Sequence, residues 1–171
     1  MAFQRNYNMW MPQGLSGQLV SMEGFIPTPY TYLSDGTVEV GSFAFEDTDK
    51  AGYAVKSKAS ARLLGFVIRN QNTFVNTPLE GATSKYPNNV QLTIAQRGVA
   101  YYVLPTSASG VTNGQSILCN PANGAVTFGE AGTANDTGWV VCLDLANGQT
   151  TAKEGDLVRI QNIGLNNKPT A

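Results

Sequence analysis

Short apolar segments separated by turn residues run through the second half of the chain. Asn-Gly pairs stand between them at Asn113-Gly114, Asn123-Gly124 and Asn147-Gly148. Asn-Gly tolerates positive φ at both central positions of a tight turn, which is the conformation that reverses a strand. The pattern therefore predicts a chain that folds back on itself in antiparallel sheet.

Alternation of apolar and polar positions extends this pattern to most of the chain and predicts about eight to ten strands and no helix. Arg97-Gly98 is expected to turn or bulge the chain between two of these strands. Closely spaced short strands are typical of an all-β barrel or sandwich. The core is predicted to contain Leu64, Phe66, Ile68, Leu92, Ile94, Val103, Trp139, Val140, Leu143, Val158 and Ile160.

Residues 1–33 differ from the rest of the chain. They are rich in large apolar side chains, and their only charged side chains are Arg5 and Glu23. Prolines and glycines interrupt any regular element, and only residues 18–25 have the pattern of a short strand. The sequence thus predicts an extended apolar arm over 1–33 and a β-barrel or sandwich domain over 34–171.

The arm has to bury its apolar side chains, either against its own barrel or against another subunit. Exposed, they would form a patch prone to association. We expect burial against another subunit, with Phe3, Tyr7, Trp10 and Met11 as the interface residues.

Composition narrows the choice of partners. Charged residues make up only 13% of the 171 residues, and the net charge is −1. Nucleic-acid binding depends on clustered Lys and Arg, so we expect no nucleic-acid partner. No apolar run is long enough to span a bilayer, and residues 1–10 lack the apolar region of a signal peptide. We therefore expect no membrane partner and synthesis in a reducing compartment.

The residue types needed for common catalytic and metal sites are scarce. The chain has no histidine, which excludes Ser-His-Asp and Cys-His catalysis and His-ligated zinc. Cys119 and Cys142 are expected to be buried free thiols, although neighbouring strands could bring them together as a disulfide. We predict no catalytic residues, no cofactor and no metal.

Two weaker patterns could indicate a ligand site, but each also has a purely structural explanation. Glu46, Asp47 and Asp49 alternate in a loop as calcium ligands can, but the loop lacks full EF-hand spacing, so a solvated turn is the better interpretation. Trp10, Trp139, Tyr101 and Tyr102 could supply a sugar-stacking face. Trp139 fits the core better, and Tyr101 and Tyr102 are expected to point to opposite faces of a strand.

The strand segments, in order, carry a family resemblance. They are 40–45 (VGSFAF), 64–71 (LGFVIRNQ), 90–98 (VQLTIAQRG), 114–115 (GQ), 120–127 (NPANGAVT), 138–139 (GW) and 155–160 (GDLVRI). Their order and spacing resemble the structural cement proteins of tailed bacteriophages, which decorate the assembled head. The resemblance covers residues 38–163.

The resemblance implies a jelly-roll-like antiparallel barrel that binds the outer capsid surface. It further implies a non-enzymatic protein of the virion, made in the host cytoplasm, with the major capsid protein and further copies of itself, as a homodimer or homotrimer, as partners. A carbohydrate-binding β-module displayed on a virion is the main alternative. A β-fold hydrolase is a third interpretation, against which the missing histidine argues.

Overall fold

The structure is a computed structural model, and it describes residues 14–70 and 84–162. Within these ranges the chain forms strands and one short 3₁₀ helix, Leu145–Asn147, which confirms the predicted all-β barrel or sandwich. The strands are β1 (Leu19–Pro27), β2 (Tyr32–Ser34), β3 (Phe43–Glu46), β4 (Tyr53–Val55), β5 (Leu63–Ile68), β6 (Gln91–Val103), β7 (Val111–Thr112), β8 (Ser116–Cys119), β9 (Val126–Gly129), β10 (Asp136–Cys142), β11 (Thr151–Ala152) and β12 (Leu157–Asn162).

Strand β6 is the longest element, at 13 residues, and it connects the two parts of the sheet. It pairs with β2 and β5 near its start and with β1 and β12 further along. Of the two alternatives predicted for Arg97-Gly98, the turn is wrong. The strand continues through Gly98, whose φ is 142°, and one long strand replaces the two expected.

The first part of the sheet closes into a small barrel. Its strands follow the order β2-β4-β3-β5-β6, and β2 pairs with β6 to complete the circuit. The β2–β4 pair is parallel, whereas the other paired strands are antiparallel. A compact cluster fills this part of the molecule: Tyr32, Val38, Val40, Ala44, Ala54, Leu64, Val67, Tyr86, Leu92 and Ile94.

A second, larger core lies against the opposite faces of β3 and β5. Phe66 is its centre, because its ring contacts those of Phe43, Tyr102 and Trp139 at centroid distances of 5.4, 5.7 and 5.5 Å. The remaining sheet, in the order β6-β12-β10-β8-β9, and the small β7–β11 pair complete this core. Strands β3 and β5 are therefore apolar on both faces.

A bulge in β5 allows that strand to serve both cores. Leu64 belongs to the barrel cluster and Phe66 to the larger core, although a regular strand would place both on one face. The register shifts beside Gly65, which has a φ of 144°. A Cβ on Gly65 would lie 2.2 Å from the carbonyl oxygen of Ala95, so only glycine allows β5 and β6 to approach this closely.

The predicted core residues are buried, with one exception. Val103 is 41% exposed, and its neighbours Tyr102 and Leu104 are buried instead. The prediction for Val103 is wrong because its neighbours alternate inward on both sides of it, so its own side chain points outward. Trp139, also expected in the core, is 1% exposed.

The Asn-Gly turns form by a different route from the one predicted. Gly114, Gly124 and Gly148 have positive φ, but none of the asparagines preceding them does. Asn113 and Asn123 act through their side chains instead, since their Oδ1 atoms accept hydrogen bonds from the backbone N–H groups of Leu143 and Ala125. The Asn123 bond is a local Asx-type bond to the backbone two residues on, whereas the Asn113 bond ties its turn to the residue that follows β10. Neither is the mirror-image turn that the dipeptide suggests.

The described part of segment 1–33 takes part in the sheet. Leu19–Pro27 forms β1, Tyr32 and Leu33 begin β2, and both strands pair with β6. The four residues expected at an interface, Phe3, Tyr7, Trp10 and Met11, lie outside the described residues.

Replacing Gly65 by alanine should reduce the free energy of unfolding by about 2–5 kcal/mol. The left-handed backbone costs a residue with a Cβ roughly 1–2 kcal/mol, and the clash with Ala95 adds a further strain of about 1–3 kcal/mol. Gly52→Ala is the matched control, because Gly52 has a φ of 80° but open space around its Cβ position. Urea denaturation measures both losses, and equal losses would contradict the close approach of β5 and β6.

Ile94→Ala should reduce the free energy of unfolding by about 2–5 kcal/mol, because Ile94 is 1% exposed in the barrel cluster. Val103→Ala, on the same strand, should change it by less than about 0.5 kcal/mol. Urea midpoints that fall equally for the two variants would show that the assignment of inward and outward side chains on β6 is wrong.

Candidate interaction surface

Exposed apolar side chains are concentrated on one segment of the molecule. Among the described residues the large exposed hydrophobics are Leu15, Val20, Met22, Ile26, Tyr30, Val103 and Leu145. The first five lie within residues 15–30, and we name them the β1 strip. Met22 and Tyr30 are 71% and 72% exposed, so their side chains are almost as open as in an extended chain.

The geometry of β1 explains why these side chains face outward. Leu19 and Phe25 pack against the larger core, while Val20, Met22 and Ile26 point to solvent. Gly24, with a φ of 71°, and the register shifts along β1 interrupt the regular pairing with β6. The sequence shows that this segment is apolar, but it does not show which side chains face solvent, because that depends on how β1 pairs with β6.

The second edge of β1 adds main-chain groups to this surface. Within residues 14–70 and 84–162, β1 pairs with β6 alone. An apolar edge strand without a described neighbour is a template for association with another chain. The β1 strip therefore combines apolar side chains with a strand edge that no described strand covers. It follows the thirteen residues that contain Phe3, Tyr7, Trp10 and Met11.

The acidic loop at residues 46–49 is an ion-pair cluster. Lys58 Nζ lies 2.6 Å from Asp47 Oδ1 and 2.5 Å from Asp49 Oδ2. The hydrogen bond from Lys58 lowers the pKa of Asp47, and the same contact raises the pKa of Lys58. Lysine already occupies the position that a cation would take. Within the described residues no group of three or more His, Cys, Asp or Glu side chains could hold a metal ion.

The two cysteines are free thiols on adjacent strands. The register places Ser116 opposite Val140, so Cys119 and Cys142 lie toward opposite ends of the β8–β10 pair. A separation of about five residues along a strand is roughly 16 Å, beyond the reach of a disulfide. Burial raises the pKa of Cys119 to about 12, which keeps its sulfur protonated and weakly nucleophilic near neutral pH.

The aromatic residues considered for sugar stacking do not form an open face. Trp139 and Tyr102 are buried, and desolvation raises the pKa of Tyr102. Tyr101 is half-buried, with Gly14 directly against its ring. Tyr101 and Tyr102 point to opposite faces as expected, and Trp10 lies outside the described residues.

Tyr86 is a structural anchor that the sequence did not reveal. It is buried in the barrel cluster, where its hydroxyl donates to the carbonyl oxygen of Ile68 at 2.9 Å and accepts from the N–H of Asn70 at 3.1 Å. In the sequence its neighbourhood, residues 73–89, has the composition of a polar surface loop, and residues 73–83 of that segment lie outside the described residues. A single tyrosine in a polar segment has no sequence pattern that distinguishes a buried anchor from a surface residue.

Comparison with known families identifies the kind of protein to which this surface belongs. The family model described as "Structural cement protein (E217 gp24/Pam3 gp6)" matches residues 3–163. The chain belongs to the structural cement protein family. This membership confirms the resemblance seen in the strand segments and gives the chain a structural role in the phage capsid, as a component of the virion.

A solved structure agrees on the fold. A chain from the capsid of Myoviridae phage XM1 superposes with a TM-score of 0.61 and 13% identity, covering 96% of this cement protein and 99% of that chain. No curated protein matches the sequence. None of the described residues forms a helix long and apolar enough to cross a membrane.

Calcium should leave the stability of the cement protein unchanged. Because Lys58 occupies the carboxylates of Asp47 and Asp49, about 1 mM Ca²⁺, the range in which weak extracellular sites fill, should not raise the melting temperature. Asp47→Asn should behave identically with and without calcium. A calcium-dependent rise in the melting temperature that Asp47→Asn abolishes would restore the loop as a metal site.

Proposed function

We propose that this cement protein binds the outer surface of the assembled phage head as a homodimer or homotrimer and stabilises contacts between major capsid subunits. It is made in the host cytoplasm and joins the virion at the capsid surface. The observation that carries this proposal is the β1 strip, because a soluble monomer rarely exposes so many large apolar side chains together. Family membership supports the capsid as the place where the strip is covered.

The arm extends the same surface. Phe3, Tyr7, Trp10 and Met11 precede the strip in the chain, and we assign them to the interface with a capsid subunit or a second copy. Aromatic and methionine side chains are enriched at the cores of protein interfaces. The low charge of the chain fits this role, since few charged groups need to lose water when the surface is covered.

Stabilisation follows from linkage. A protein that binds the assembled lattice and not the dissociated subunits shifts the equilibrium toward the lattice by mass action. Many copies on a symmetric shell multiply modest individual interfaces. No catalytic step is required, and we expect none, because the chain has no histidine and burial raises the pKa of both its thiols.

Met22→Glu should weaken binding to capsids of the parent phage prepared without this protein by at least tenfold, about 1.4 kcal/mol. A carboxylate at the centre of the strip would have to lose its water in the interface. Leu145→Glu is the matched control, since Leu145 is 55% exposed outside the strip. Equal affinity of the two variants, measured by co-sedimentation, would contradict the proposal.

Deleting residues 1–12 should leave the β-domain folded and weaken capsid binding or oligomerisation, and Trp10→Ala should reproduce part of that loss. Circular dichroism, analytical ultracentrifugation and co-sedimentation measure the three properties. Undiminished binding and assembly of the truncated protein would remove the arm from the interface, and unfolding would make the arm part of the core.

A further inference from the structure

A cleft of about 550 Å³ opens at the edge of the sheet. Its lining includes residues 39–42, Lys56 and residues 124–126, which lead into β9. Val103 and Pro105 also line it. The volume is within the range of pockets that bury a ligand of several residues or a small molecule, roughly 300–1,000 Å³.

Strand β9 presents an edge to this cleft. In the described part of the chain β9 pairs with β8 alone and ends the sheet. Asn120 N–H donates to the carbonyl oxygen of Ala125, so Ala125 faces β8 and the main-chain groups of Val126 and Phe128 point away from it. The hydroxyl of Ser107 donates to the carbonyl oxygen of Val126 from that outer side. The edge is therefore reached by one loop hydroxyl and is not covered by a described strand.

The charges in the cleft neutralise each other. Among the described residues that line it, Glu39 and Lys56 are the charged ones, and Lys56 Nζ lies 2.9 Å from Glu39 Oε1. The other polar groups of the lining are hydroxyls, including those of Ser42 and Thr106. An ionic ligand would meet no net charge. The aromatic residue of the described lining, Tyr102, is buried, so its ring offers no open face on which a sugar could stack. Main-chain amides and small neutral side chains match this chemistry.

The cleft is continuous with the β1 strip. Val103 N–H donates to Ser16 Oγ at 3.4 Å, and both residues line the cleft. Ser16 follows directly after Leu15 of the strip. A capsid protein that covers the strip would thus place an adjacent segment of its own chain at the mouth of the cleft.

We propose that the cleft binds an extended, uncharged peptide segment of a capsid protein, which pairs with β9 as an added strand. This inference rests on the proposed function, because it takes the protein that covers the β1 strip as the source of the segment. Strand addition supplies main-chain hydrogen bonds to β9, first at Val126, which lines the cleft, and then at Phe128, which lies beyond the lining. The exposed side chain of Val103 supplies an apolar contact.

Hydrogen exchange of the full-length protein, free and bound to capsids of the parent phage prepared without it, tests the assignment. Amides in the peptide that spans 124–129 should exchange at least tenfold more slowly when the protein is bound. Protection of residues 19–27 without protection of 124–129 would overturn the cleft assignment and leave the proposed function standing. Protection of neither region would overturn both.

Thr106→Trp should fill the cleft from an exposed position, weaken capsid binding at least tenfold and abolish the protection of 124–129. Thr150→Trp is the matched control, since Thr150 is exposed and outside the lining, and it should leave both readouts unchanged. If Thr106→Trp binds and is protected like Thr150→Trp, the cleft is not the site. The wild-type exchange pattern decides the question independently of how either variant folds.

Discussion

Hydrogen bonding along both edges of strand β6 is the constraint on which the rest of the structure depends. Ala100 pairs with Leu19 of β1 and with Ile160 of β12, so the two partner strands lie on opposite edges. Nearer its start, β6 pairs with β2 and β5 and closes the small barrel. One continuous strand thereby fixes the barrel, the larger core and the position of β1 relative to each other.

Much of this architecture could be predicted from local pattern. The all-β fold, the strand segments and the buried positions from Leu64 to Ile160 follow from alternation and turn residues, which are local properties. Three features cannot be predicted from local pattern, because they depend on which strands pair and how closely. They are the continuity of β6, the outward side chain of Val103 and the change in side-chain facing at Gly65. The Asn-Gly turns show the same limit, since Asn113 uses its side chain and not positive φ.

The candidate interaction surface could likewise be predicted only in part from the sequence. The apolar character of residues 1–33 is evident in the sequence and leads to an interface prediction. The exposure of Met22 and Tyr30 requires the pairing of β1, which leaves one face against the core and the other open. The cleft beside β9 could not be predicted, because residues 39–42, 103, 105–107 and 124–126 come together only through the fold. Strip and cleft meet at Ser16, so one bound protein could contact both.

A cryo-electron microscopy reconstruction of the virion head that carries this protein tests the central claim most directly. The account predicts density for the cement protein on the outer surface, at a copy number close to that of the major capsid protein, with Met22, Ile26 and Tyr30 buried against another subunit. A few copies per virion, or a β1 strip that faces solvent in every copy, would contradict it.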